Sequence, residues 1–358
     1  MRSKRRSDAA SPVLTIIMNA YASRGCGVAG RPGGKLMRTL AMLAAAALAA
    51  IMIASSAARA QDWPQKPVRV VVPFPAGGST DRMTRLVAEE LTKLFKQQFV
   101  VENRPGAGGA VAAAQVARAE PDGYTLMAGG FGPHILGPAS GVKADYDPIA
   151  DFTHIVMMGG ETYIFAAHAA LGVKSLADVV RLASDKPVNF GSPGTGTLGQ
   201  LMVDQFRLKV GASRINHVPY RGGAPLQTDF IGNHVSLATL PIAPMLPHIG
   251  AGTIVQLAVS STERNPALPD VPTLNETGYP EIGGAIWFWL AGPKNLPQPV
   301  VSRLNQEVRR YLATAPVKQI FMRDALMTMD TDAAALNRFI AGEIKRWSTI
   351  YRQLEPPK

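Results

Sequence analysis

Two segments bring glycines and hydroxyl side chains together where a strand must hand over to a helix. The first is Phe74-Pro75-Ala76-Gly77-Gly78-Ser79-Thr80-Asp81, and the second is Gly191-Ser192-Pro193-Gly194-Thr195-Gly196-Thr197-Leu198-Gly199. At a helix start the first N–H groups have no intrahelical acceptor and sit at the positive end of the helix dipole, so such a loop can hold an anion without lysine or arginine. Taken alone, the first loop is served at least as well by ordinary capping through Ser79 or Thr80, with the glycines only making the turn. Two such loops facing one cleft describe more than capping. They form a site for a ligand with two negative groups, one carboxylate gripped from each side.

Other chemistries fit the sequence less well. Gly194-x-Gly196-x-x-Gly199 formally matches the dinucleotide fingerprint, but the next strand, Ile215 to Pro219, ends without the acid that would hold a ribose. There is no Gly-x-Ser-x-Gly elbow and no His-Glu-x-x-His, and the six histidines (134, 154, 168, 217, 234, 248) never fall three or four apart. The single cysteine, Cys26, lies in a segment expected to be removed, leaving no thiol for disulfides, nucleophilic attack or metal ligation. No cofactor and no metal are expected. An exported hydrolase with a triad assembled from distant residues, using Ser79 or Ser192, is the alternative from another functional class.

The chain has 358 residues and a formal charge of +11. Of its 37 basic residues nine lie within residues 1–60, against one acid, Asp8; the 28 basic and 25 acidic residues that remain are close to balance. That balance gives no clustered basic surface for nucleic acid. Thr39 to Ala58 is a run of twenty uncharged residues, preceded by Lys35 and Arg38 and closed by Ala58-Arg59-Ala60. This is the grammar of a signal peptide with cleavage after Ala60, and hence of a periplasmic protein. An uncleaved membrane anchor is the competing reading, since twenty residues could just span a bilayer. The run's alanine content and its small-residue end favour cleavage. Met37-Arg38 reads as a more natural start than Met1, because signal peptides rarely carry so long an extension.

Residues 61–358 alternate strands and helices, which predicts a mainly parallel α/β sheet. Val68 to Phe74, Phe99 to Asn103 and Tyr124 to Ala128 read as strands, with helices from Asp81 to Lys96 and up to Ala119. The pattern restarts with a helix from Ser175 to Ser184 and strands at 188–191, 215–219 and 254–259, separated by helices from Leu198 to Val210 and Pro225 to Ile231. Thr162 to Ala167 and Ile286 to Leu290 are apolar crossings between two lobes, and helices from Pro299 to Thr314 and Asp332 to Arg352 return to the first. The expected division is 61–164 and 287–358 for lobe 1 and 165–286 for lobe 2, with ligand space between them. Trp287, Phe288 and Trp289 are expected to pack as a buried crossing strand, Arg82 and Arg221 to be solvated, and the Arg104 to Gly109 turn to lie outside the site.

The motifs carry a resemblance. Trp63-Pro64-x-x-Pro67-Val68-Arg69-x-Val71-Val72-Pro73-Phe74-x-Ala76-Gly77-Gly78-x-x-Asp81, Val101-Glu102-Asn103-Arg104-Pro105-Gly106-Ala107-Gly108-Gly109 and Pro121-Asp122-Gly123-Tyr124-Thr125-Leu126 resemble Bug-type extracytoplasmic solute receptors of the tripartite tricarboxylate transporter family. So, in the same order, do Gly191-Ser192-x-Gly194-x-Gly196, Val218-Pro219-Tyr220-Arg221-Gly222-Gly223, Leu246-Pro247-His248-Ile249-x-Ala251-Gly252, Pro269-Asp270-Val271-Pro272-Thr273 and Arg303-Leu304-Asn305. The resemblance spans residues 62–355. It implies a two-lobed periplasmic binding protein of type II architecture that closes over a small carboxylate and delivers it to integral-membrane permease subunits. It implies a monomer without enzymatic activity. Carried over by position, the ligand-binding residues are Phe74, Ala76, Gly77, Gly78, Ser79, Thr80 and Asp81 on one side and Ser192, Gly194, Thr195, Gly196 and Thr197 on the other, with Tyr220 at the wall. A sensor feeding a receptor kinase is the neighbouring alternative. The sequence departs from the family at Gln200, where His is usual, at Ser236, where Asp is usual, at Ala285-Ile286, where Ser or Thr is usual, and in the Gly129 to His134 loop. Ligand identity is where these departures bear.

Overall fold

In the computed structural model, residues 63–141 and 143–354 are described. The leader, its cleavage point, Cys26 and Met37 lie outside these residues.

The β-branched run Val68–Val72 forms β1, and parallel to it on either side lie β2 (Phe99–Asn103) and β3 (Thr125–Gly130). Between β1 and β2 runs α1 (Ser79–Phe95), whose Met83, Val87 and Leu91 recur every fourth residue and are buried. A short α2 (Ala110–Ala117) covers the opposite face with Ala112, Ala113 and Val116. The second half repeats the plan. Strands β5 (Val188–Ser192), β6 (Ile215–Pro219) and β7 (Leu237–Pro241) are parallel, with α3 (Leu176–Asp185) leading into β5 and α4 (Leu198–Lys209) and α5 (Gly223–Ile231) between consecutive strands.

Two long strands join the halves. The first, β4 (Phe152–His168), and a later strand, β9 (Ala285–Pro293), are antiparallel to each other and give the order β2-β1-β3-β9-β4-β7-β5-β6. The sheet is therefore mixed rather than mainly parallel. Each half keeps the expected parallel pairing, and the crossing strands reverse direction because the chain passes between lobes and back. β8 (Ile254–Val259) pairs with the second half of β4, where Phe165 packs edge-on to Phe190 at 5.6 Å. The return segment supplies α6 (Gln298–Leu312), α7 (Ala315–Arg323), the two-residue β10 (Leu326–Met327) beside Glu161 and Gly160, and α8 (Ala333–Leu354).

The segment after β3, expected as a loop, is helical: a π turn at Gly132–Leu136 runs into a short helical turn ending at Ala139. Phe131 at its start meets the fully buried Trp347 of α8 edge-on at 5.3 Å. That anchor from a distant helix explains why glycine and proline content misleads here. The crossing strand β9 alternates as a strand should. Trp289 is buried and donates from Nε1 to His154 Nδ1 at 2.9 Å, and Trp287 packs against Phe339 of α8. Ile286 and Phe288 point the other way.

Candidate functional site

The cleft is assembled at the carboxyl ends of β1, β3, β5 and β7. The helix α1 has Gly78 as its N-cap, in extended conformation (φ −76°, ψ 171°), with no side-chain capping bond. Capping by Ser79 or Thr80 is therefore not what the loop does, and the first-turn N–H groups are left without intrahelical partners. What shapes the loop is Asp81, which is 2% exposed. Its carboxylate accepts from Gly77 N–H at 3.0 Å, Asn103 Nδ2 at 2.8 Å and Arg85 Nε at 2.9 Å, while the same Asn103 nitrogen donates to Phe74 O at 3.0 Å. Burial raises the Asp81 pKa, but the Arg85, Gly77 and Asn103 hydrogen bonds outweigh it and hold the group below the ordinary aspartate range. Gly77 has φ +84°, a left-handed conformation that favours glycine.

The second helix terminus is more occupied. Thr197 caps α4, accepting from Gln200 N and donating to Gly194 O at 2.7 Å. Gln200, where the resembling family has His, turns its Oε1 back onto Gly196 N–H at 2.8 Å. Ser192 is fully buried, and its hydroxyl lies 2.6 Å from His217 Nε2 while accepting from Gly194 N–H at 3.2 Å. That serine and histidine pair is the nearest approach to hydrolase chemistry, yet Ser192 does not line the cleft. Burial lowers the His217 pKa.

Between the termini lies a cavity with about 560 Å³ of empty space, its mouth included. From the first loop Phe74, Gly78, Ser79 and Thr80 line it; from the second, Pro193, Thr197 and Leu198. Gly130, Phe131 and Gly132 close one end, with Ile286 and Phe288 of β9, Tyr163 of β4, Pro241 and Gly223 completing the walls. No charged side chain is among these lining residues. Of the carried-over positions, Ala76, Gly77, Asp81, Ser192, Gly194, Thr195, Gly196 and Tyr220 stand outside the lining. Thr195 is exposed, and Tyr220 donates its hydroxyl to Asp229 Oδ2 at 3.0 Å. Arg82 and Arg221 also stay off the cleft.

Sequence reasoning missed Phe131, Tyr163, Ile286 and Phe288, all at ends or crossings of strands. The alternation along β9 would have assigned Ile286 and Phe288 to one face. Ser236 sits at the start of β7, bonded to Asn233 in an exposed turn, whereas the cleft lies at the Pro241 end. Five residues of strand put it roughly 16 Å away, so the departure there does not reach the ligand space. Ala285-Ile286 does reach it, presenting an apolar wall.

The lobes meet across the cleft mouth. A Cβ on Gly222 would lie 2.6 Å from Pro75 Cδ, one on Gly77 3.8 Å from Ala224 Cβ, and one on Gly108 3.1 Å from Thr195 O. The Arg104 to Gly109 turn, expected to lie outside the site, thus touches the second loop. Gly222 also has φ +133°. Gly222→Ala should hold the lobes apart and weaken ligand binding about tenfold or more, through loss of the closed population. A titration with ligand checks it, alongside a melt that should also fall, by about 1 to 3 kcal/mol of stability, because φ +133°, ψ 174° is a backbone region that essentially only glycine adopts.

Two lobes sharing one sheet, with a polar-loop cleft between them, make a fold suited to holding a small solute. The model of the tripartite tricarboxylate transporter family receptor matches residues 83–355, and the chain belongs to that family. It is 31% identical over 297 residues to protein BugT of Bordetella pertussis, covering 82% of this chain and 91% of that one. It is 33% identical over 299 residues to a protein of Agrobacterium vitis encoded in the ttuE-ttuC' intergenic region, with 82% and 86% covered. Among solved structures, an R. palustris protein with adipate aligns with TM-score 0.78 at 31% identity, over 82% of this chain and 98% of that one. MatC of Rhodopseudomonas palustris with bound malate aligns at 0.76 and 28%, over 81% and 100%. The fold and the family of solute-binding receptors are those expected from the motifs.

Proposed function

We propose that this protein is a periplasmic receptor that closes its two lobes over a small carboxylate and delivers it to integral-membrane permease subunits. The observation that carries the reading is a cleft without charged side chains into which the uncapped N-terminus of α1 opens. Lobe 1 comprises 61–164 and 287–358, and lobe 2 comprises 165–286. The chain is exported, cleaved after Ala60, monomeric and without enzymatic activity.

The ligand carboxylate is held at Gly78, Ser79 and Thr80, with Thr197 and the second loop opposite. The remaining walls, Phe74, Phe131, Tyr163, Leu198, Ile286 and Phe288, suit an apolar spacer. The adipate and malate of the related structures support a dicarboxylate. A charge-assisted hydrogen bond contributes roughly 1.5 to 3 kcal/mol and a helix terminus about 0.3 to 1 more, so four or five such bonds reach the roughly 8 kcal/mol of micromolar binding before the cost of closure.

The test is a melt of protein unfolded and refolded to strip copurified ligand, against mono-, di- and tricarboxylates, amino acids and aromatic acids. A ligand of the native state at a hundredfold excess over its Kd stabilises it by about 2.7 kcal/mol. Carboxylates should raise Tm and uncharged analogues should not. No shift from any carboxylate would remove the reading.

A further inference from the structure

One ionisable group lies immediately behind the ligand loop, and nothing in the sequence singled it out. Glu161 sits on β4 where its partners change: Glu161 pairs with Ile286 of β9 and Leu326 of β10, and Tyr163, two residues on, pairs with Pro241 of β7. It is fully buried, and neither carboxyl oxygen has a hydrogen-bond partner. Facing it are Ser79 at the start of α1, from lobe 1, and the Ala243 backbone after β7, from lobe 2. Ser79 lines both the ligand cleft and the side cavity that Glu161 lines, and its hydroxyl is likewise buried without a partner. Glu161 is thus separated from the cleft by one hydroxyl.

We propose that Glu161 is a positioning residue for the ligand carboxylate: protonated, it donates to the Ser79 hydroxyl and turns that hydroxyl's own proton toward the cleft, so closure over a carboxylate takes up one proton. The inference rests on the carboxylate reading of the cleft. Ionised, Glu161 would accept the Ser79 hydroxyl's hydrogen bond, leaving the oxygen's lone pairs facing the incoming anion. The balance is simple: the proton comes from solvent on closure and returns on opening, and no covalent bond changes.

The surroundings favour the neutral form. Burial pushes the Glu161 pKa up to about 7, while the Ser79 hydroxyl and the Ala243 backbone facing it, and the charge of Arg82, only partly oppose it. The charged or titratable groups around it are Arg82 from α1, Tyr163 from β4, and Arg323 with Asp324 at the end of α7. Asp324 is paired with both arginines, leaving Glu161 without a cation of its own. Lobe opening would hydrate the gap between Ser79 and Ala243 and return the carboxyl toward its ordinary value of 4.5. The closed form then binds more protons than the open form between about pH 4.5 and 7, so closure is easiest below that window and weakens as pH rises through it.

The test measures Kd for adipate and malate at about pH 5.5 and about pH 8.5 in the wild type, Glu161→Gln and Ser79→Ala. Wild-type Kd should rise about tenfold or more with pH. Glu161→Gln, whose amide still donates to Ser79, should bind at both pH values as the wild type does at the lower one. Ser79→Ala should bind weakly at both pH values while keeping the pH slope, because closure still buries Glu161. Binding with a wild-type pH slope retained in Glu161→Gln, or with no slope in the wild type, would overturn this inference alone. No binding of either acid at any pH, with no carboxylate shifting the melt, would overturn the carboxylate reading and this inference with it.

Discussion

Gly78→Val should lower carboxylate affinity about a hundredfold while leaving the protein folded. Gly78 caps α1 in an ordinary extended conformation that any residue adopts, and a Cβ there would meet only Pro75 O, at 3.6 Å. The backbone therefore tolerates the change, but the branched side chain fills cleft space beside the N–H groups of Ser79 and Thr80. Losing one or two charge-assisted hydrogen bonds costs about 3 kcal/mol, which is the expected factor. Calorimetric titration reads it, with the denaturant midpoint as control. An affinity within threefold of wild type, in a folded variant, would place the ligand away from α1.

Trp347→Ala should be the most destabilising single truncation, at about 3 to 5 kcal/mol from the lost burial and the cavity left behind. Trp347 is fully buried, meets Phe131 edge-on and donates from Nε1 to Glu343 at 3.0 Å. Its ring also covers Gly284, where a Cβ would lie 3.1 Å from Cζ2. It therefore clamps α8 onto both the π turn and the entry to β9. Urea unfolding should show the midpoint falling with little change in slope. Because Phe131 lines the cleft, ligand affinity should fall as well. A midpoint unchanged from wild type would show that α8 docks without it.

Much of the fold was legible because its strands are written in local code. The runs forming β1, β2, β5 and β6 are bounded by glycine, proline or asparagine, and the amphipathic spacing of α1 and α6 marks them as helices. The start of β4 was not legible, because its first half holds two adjacent glycines, Gly159-Gly160. In the structure both glycines are inside the strand, at a register shift, and a Cβ on Gly160 would lie 2.5 Å from the Trp287 ring. Gly160 admits a tryptophan from β9, a partner 127 positions away, and Gly159 leaves room for Phe321 and Met83, contacts that no local pattern reveals. The helix α7 was also missed; it opens on Ala315-Pro316, and proline is tolerated in a first helical turn.

The site was legible to the extent that its chemistry is local. The glycine and hydroxyl loops announce helix N-termini, and five of the residues carried over from the family line the cleft. Others support it from behind: Asp81 fixes the first loop through Gly77 and Asn103, and Ser192 braces the second through His217 and Gly194. A polar residue one layer below a loop and one that touches a ligand have the same sequence signature. Glu161 was invisible for the converse reason, being a lone acid in an apolar strand whose meaning depends on Ser79 and Ala243 arriving from opposite lobes.

The most direct measurement is a crystal structure of the residue 61–358 chain with the carboxylate that most raises its Tm. The account predicts a carboxylate within hydrogen-bond distance of the N–H groups at Gly78 to Thr80, with the ligand body against Phe131, Ile286 and Phe288. A ligand bound outside this cleft, or one whose anionic group turns away from the start of α1, would contradict it.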